Sequence, residues 1–338
     1  MGCICDKDPA IDNHVFLNRN TDILIKHPHK KCNTPSSYLM NHRIDTSMIP
    51  PFIIEFYDRV NKKMYTRCSH NHYKDIYFFN DVIYTVECVK YYIFKNIQQL
   101  HDITCDISHV VSYENIFYMP HDEKEGILIQ KMPLYELTDM FTFCISEGRS
   151  NRIDINSFVY QLASTLKELH ENDIFLNDIK LENIVGRMKD GKMDWAFTDT
   201  EYAYIGVDFL EGDVDEEKIR IFRDRMRGRF RWIKTIEYIP DNTYPCCRKI
   251  AERNDCFALA RCIGTVVCFM KIGSANTMFY GNGYMYVYDL RHILKDVLKD
   301  DLYVHHCGNA VAEYDTYAND SFLDELISIS RPLCVDVS

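Results

Sequence analysis

Between residues 52 and 132 the apolar positions come in short runs separated by turn-forming residues. "FIIEFYDRV", "KMYTRCS", "NIFYMP" and "GILIQKM" are rich in aromatic and β-branched side chains, and each is expected to form a strand. One segment breaks the rule. In "VECVKYYIFKNIQQL" at 86–100, Val86, Val89, Ile93 and Ile97 recur at helical spacing, which predicts a helix.

After residue 133 the pattern turns helical. "INSFVYQLASTLKELH" places Phe158, Leu162, Leu166 and Leu169 on one face of an amphipathic helix. "DCFALARCIGTVVCFM" is apolar nearly all round and predicts a helix buried within a domain. The expected fold class is therefore α+β, with a small strand-rich lobe at 51–132 and a larger helical lobe at 133–338. Residues 1–50, rich in Asn, His, Pro and Ser, are expected to be a partly ordered extension.

Composition narrows the classes. With 46% apolar and 26% charged residues among 338, the chain can build a sizeable core. A net charge of −11 argues against a general nucleic-acid or anionic-membrane binder. No apolar run is long enough to span a bilayer, and no basic-then-apolar leader opens the chain. The fourteen cysteines are scattered, and Cys256, Cys262 and Cys268 fall inside apolar patterns, as small buried hydrophobes do in a reducing compartment. A cytoplasmic protein is expected. The "MGCIC" start offers Gly2, Cys3 and Cys5 as acylation sites for peripheral membrane attachment. Asp6 stands where that pattern wants Ser or Thr, so the unmodified start is preferred. His27, His29 and Cys32 form one cluster and Cys68, His70 and His72 another. Neither has a paired-ligand zinc spacing, and both read as polar surface.

Chemistry concentrates in "IFLNDIKLENIV" at 174–185 and in the strand "DWAFTD" that follows, ending at Asp199. Phosphoryl transfer asks for a group to orient the attacking hydroxyl, a cation for the phosphate, and hard oxygen ligands for Mg²⁺. Asp178, Lys180, Asn183 and Asp199 are one such set.

The ordered set of motifs resembles the protein kinase fold over roughly residues 52–300. "DIKLEN" looks like the catalytic loop D-x-K-x-x-N, and "LKELHENDIFLNDIKLENIV" follows the helix leading into it. "DTE" at 199–201 falls where the family has Asp-Phe-Gly. "TIEYIP" at 235–240 resembles the end of the activation segment. "NDCFALARCIGTVV" resembles the buried helix whose Asp, here Asp255, braces the catalytic loop. "GILIQKMP" looks like the strand and hinge that hold adenine, with Ile129 as gatekeeper followed by Gln130 and Met132.

The resemblance implies a two-lobed fold and an ATP- and Mg²⁺-dependent enzyme acting on protein. Asp178 would be the base, Lys180 would contact the γ-phosphate, and Asn183 and Asp199 would hold the metal. A Lys two positions after the Asp is the serine/threonine kinase pattern.

The chain also departs from the family. No glycine lies between Gly2 and Gly126, so no Gly-rich loop covers the phosphates. The strand lysine is replaced in the register "NKKMYTR" by Arg67, with Glu87 expected in the following helix as its partner and Lys63 and Lys74 competing for the role. Leu176 and Asn177 stand in place of His-Arg, and Thr200 and Glu201 follow the metal-binding Asp. Five acids from Glu211 to Glu217 precede eight basic residues from Lys218 to Lys234, and this segment reads as internally compensated. The expectation is a divergent serine/threonine protein kinase. The alternative is a pseudokinase that binds a protein partner.

Overall fold

The computed structural model describes residues 49–63, 65–70, 74–111, 113–120, 125–133, 140, 153–207, 209–212, 215–226, 238, 244–272 and 320–331, with backbone alone at 66–70, 125, 188, 201, 268–269, 271–272 and 320. The cluster around His27, His72 of the second cluster, the "MGCIC" start and nearly all of the 1–50 extension and of "TIEYIP" lie outside them. The chain divides into two compact units, one comprising 1–105 with 111–135 and the other 106–110 with 136–338.

The first unit opens with α1 (Pro51–Asn61), and this corrects the strand expected of "FIIEFYDRV". Pro51 sits in the first turn, where its missing N–H costs nothing. Ile53, Phe56 and Val60 are the buried positions, and their spacing of three and four is that of a helix. Five strands follow: β1 (Thr66–His70), β2 (Lys74–Phe78), β3 (Val82–Lys90), β4 (Asn115–Pro120) and β5 (Glu125–Pro133). They form one antiparallel sheet in the order β1-β2-β3-β5-β4.

Between β3 and β4 runs α2 (Tyr91–Thr104), a second correction. Val86 and Val89, expected in the helix, belong to β3, where Val86 is paired with Asp75 on one side and Ile129 on the other. Their helical spacing is an accident of a strand running straight into a helix.

Alternation along the strands divides the core in two. Tyr77, Tyr84, Val86, Ile127 and Ile129 pack with Ile53, Phe56 and Val60 of α1. Val89 and Leu128 pack with Tyr113 and with Ile97 of α2. Arg59 of α1 clasps Asp81 in the β2–β3 turn with two bonds, at 2.5 and 3.0 Å.

The second unit begins with α3 (Ile155–Glu171), capped by the Asp154 carboxylate, which accepts from the amides of Asn156 and Ser157. Phe158, Leu162, Leu166 and Leu169 are fully buried, as their periodicity predicts. Short elements follow: β6 (Ile174–Phe175), β7 (Ile184–Lys189), β8 (Lys192–Phe197) and β9 (Tyr204–Ile205), paired as β6–β9 and β7–β8. The helices α4 (Glu216–Met226), α5 (Arg248–Ile272) and α6 (Asp320–Ser330) complete the described part.

The apolar stretch from Asp255 lies in α5, with Cys256, Phe257, Leu259, Cys262, Ile263 and Val266 all buried. The architecture is mixed α/β, with a small antiparallel sheet and several helices, and is compatible with a kinase-like fold. Among the described residues no helix is long and apolar enough to cross a membrane, and Cys88, Cys105, Cys246, Cys247, Cys256 and Cys262 are unbridged.

Candidate active site

The segment from α3 to β9 is held by one buried carboxylate. Asp255, in α5, accepts from the amide of Leu176 at 2.7 Å and from that of Asn177 at 2.8 Å, and His170 Nε2 lies 3.2 Å from the same carboxylate. His170 and Asp255 are 4% and 1% exposed, so these bonds are made where water cannot substitute. Arg248 reinforces the start of the loop. It donates to the His170 carbonyl at 2.7 Å and pairs with Asp173. Asp173, Asn177 and Asp199 all have positive φ, at 57°, 61° and 54°. Asn and Asp tolerate the left-handed region better than other residues with side chains, so the sequence supplies suitable types at these sharp turns.

The next residues form a hydrogen-bonded cluster. Lys180 Nζ donates to Asp178 Oδ2 at 2.7 Å. Asn183 Nδ2 donates to the same oxygen at 3.0 Å and to the Asp178 carbonyl at 2.9 Å. A 3₁₀ turn over Leu181–Asn183 brings the carboxamide back to the carboxylate, and the Asn183 amide bonds the Lys180 carbonyl at 2.9 Å. Burial opposes the charge on Lys180. The Asp178 carboxylate beside it, then Glu182 and Asp199, outweigh that cost and hold its pKa above the ordinary lysine value.

Asp199 arrives by way of the β7–β8 hairpin. Ile184 is paired with Phe197, and the Thr198 amide donates to the Asn183 carbonyl at 2.9 Å. Asp178, Lys180, Asn183 and Asp199 are thus gathered at one end of a two-stranded ladder. Asp178 and Asn183 are buried and Asp199 is exposed. Because the Asn183 nitrogen is committed to Asp178, its amide oxygen is the end left for a cation. That oxygen and the Asp199 carboxylate are hard donors of the kind Mg²⁺ takes.

The nucleotide-contacting residues expected from sequence belong to the first unit, and the sheet separates them. Ile129 is buried beneath α1. Gln130 and Met132 alternate to the other face, where Met132 packs with Leu128 and the Gln130 amide oxygen accepts from Thr85 at 3.0 Å. Glu87 lies on β3 rather than in a helix, and its neighbour across the ladder is Lys74. Arg67 stands opposite Tyr77 instead. The register therefore favours Lys74 over Arg67 beside Glu87.

The sequence pointed to Asp255 but not to its partner His170, nor to Arg248, which holds the His170 carbonyl and Asp173. His170 falls four residues after Leu166 on the buried face of α3, so its burial was legible. Its partner, 85 residues away, was not.

No family model matches the chain. A serine/threonine-protein kinase 1 of Lymantria dispar multicapsid nuclear polyhedrosis virus is 28% identical over 104 residues, which is 29% of this chain. The match spans 37% of that relative's own length. It supports a distant kinase-like relationship.

Proposed function

We propose that the chain is a divergent serine/threonine protein kinase that transfers the γ-phosphoryl group of ATP to protein hydroxyls. The observation that carries this reading is the cluster in which Lys180 and Asn183 both donate to Asp178, on a loop braced by Asp255. The limited similarity to a viral serine/threonine kinase points the same way.

In this reading Asp178 orients the substrate hydroxyl and accepts its proton. One of its oxygens accepts from both Lys180 and Asn183, which fixes the plane of the carboxylate that would receive the hydroxyl proton. Lys180 keeps its ammonium charge at neutral pH and can shift from Asp178 toward the transferred phosphate. Asn183 and Asp199 would hold Mg²⁺, whose chemistry is to neutralise charge on the phosphate oxygens.

A second reading, a pseudokinase acting through a protein partner, is favoured by the absence of glycine between Gly2 and Gly126. Phosphate transfer from Mg·ATP to a generic protein substrate, compared between the wild type and Asp178→Asn, distinguishes the two. The kinase reading expects a loss of about a hundredfold or more in the variant. Equal signal from both proteins would remove it. A nucleotide-induced thermal shift without transfer would leave the pseudokinase.

A further inference from the structure

The β7–β8 hairpin carries Asp199 to Asn183, and its ladder has two strands, with β7 on one edge of β8. Trp195 and Phe197 are buried, so the polar groups on the other edge need partners from the protein. A side chain supplies them. Gln161 of α3 donates from Nε2 to the Met193 carbonyl at 3.0 Å and accepts at Oε1 from the Trp195 amide at 2.8 Å. Bonding the carbonyl of one residue and the amide two positions on is what a residue of a parallel strand does. The carboxamide therefore stands in for a strand opposite Asp194.

The orientation of that carboxamide is fixed. Nε2 gives its second hydrogen to Ser157 Oγ at 2.9 Å, one turn back along α3. Exchanging N and O would set two acceptors together at Met193 and two donors together at Trp195. Further along the same edge, the Phe197 amide donates to the His109 carbonyl at 2.9 Å, and Val110 bridges to Phe197 in parallel. The Ser108 carbonyl is itself tied to α3, accepting from Thr165 Oγ1 at 3.2 Å. The strand that runs into Asp199 is thus registered from α3 on one edge and from β7 on the other.

We propose that Gln161 is a positioning residue for the metal pair, whose carboxamide sets the register of β8 and so where Asp199 stands relative to Asn183. The inference rests on the kinase reading, in which Asn183 and Asp199 hold Mg²⁺. Gln161 acts through the strand and not on the ion. Without its carboxamide, β8 keeps its bonds to β7, but the Met193 carbonyl and the buried Trp195 amide lose their partners. The strand then shifts to recover them, and Asp199 at its end moves too.

The test uses the full chain with ADP and Mn²⁺, an ion that takes the same oxygen donors as Mg²⁺ and whose free concentration is read by electron paramagnetic resonance. The wild type should take up Mn²⁺ beyond what ADP alone binds. Gln161→Met keeps the length and loses both bonds to β8. It should weaken that uptake on the order of tenfold, the low end for residues that support a metal ligand. Hydrogen exchange at the Trp195 amide should quicken in the same variant. Gln161→Glu retains the acceptor for that amide, and its Mn²⁺ affinity should fall between the two. Phe322→Leu is the control. Phe322 is buried in α6, which packs on α3, and its truncation should lower the urea midpoint with Mn²⁺ affinity unchanged. Equal affinity in the wild type and Gln161→Met would overturn the positioning role and leave the kinase reading standing. So would a loss no greater than that in Phe322→Leu. A wild type that takes up no Mn²⁺ beyond ADP would remove the kinase reading, and this inference with it. If neither Gln161 variant folds, the carboxamide serves the fold and not the metal pair, which overturns the positioning role as well.

Discussion

At the scale of single residues, Asp255 is where one side chain decides most. Its two oxygens accept the buried amides of Leu176 and Asn177, and the His170 ring shares one of them. Asp255→Asn keeps the shape but turns an amide donor toward groups that themselves donate. The expected cost is about 2 kcal/mol, read from the midpoint of urea denaturation. Lys180 supplies the pH dependence. Its pKa is raised in the folded chain, so its pairing stabilises fully below the ordinary lysine value of 10.5 and is lost as pH rises through the higher folded value. The stability difference between wild type and Lys180→Met should be flat at neutral pH and shrink in the strongly alkaline range. Thermal unfolding across a pH series would show it, and a difference that grew with pH would contradict the pairing.

At the scale of elements, the β7–β8 hairpin matters because it brings Asp199 to Asn183. Its register depends on Gly186, where an added Cβ would lie 2.5 Å from Trp195 Cζ3 and 2.6 Å from Cε3. Trp195 is fully buried and meets Phe158 edge-on, with ring centroids 5.4 Å apart, so it has nowhere to go. Gly186→Ala should therefore destabilise by about 2 kcal/mol in chemical denaturation. If phosphate transfer is present, it should fall as well, since Asn183 and Asp199 would no longer be held together.

The helix α1 teaches a different lesson. "FIIEFYDRV" is made of residues that favour strands, yet Ile53, Phe56 and Val60 follow a helical period and sit under the sheet. Residue type pointed one way and spacing the other, and the spacing was the better guide.

For the whole molecule, charge sets what the surface attracts. A net charge of −11 repels polyanions, and in α4 the ion pairs of Arg220 with Glu217 and Asp224 temper the basic run. A fluorescently labelled DNA duplex should show no polarisation change with micromolar protein at roughly 0.15 M salt. Clear, salt-dependent binding would instead make the Lys218–Lys234 segment a docking surface.

Periodicity determined α3, whose apolar spacing reports which face meets a core, and an apolar composition nearly all round determined the buried helix α5. Short-range order also determined the residue set of the loop, Asp178, Lys180 and Asn183, whose hydrogen bonds span at most five positions. What only the tertiary structure decided is everything carried by distant pairing. The ladder assigned Val86 and Val89 to β3, set Glu87 opposite Lys74 rather than Arg67, and divided Ile129 from Gln130 and Met132. A packed core placed Asp255 against an α3 histidine and a loop nearly eighty residues upstream. Spacing along a chain records local geometry. It holds no measure of which remote segment supplies the hydrogen bonds and charges that a buried group requires.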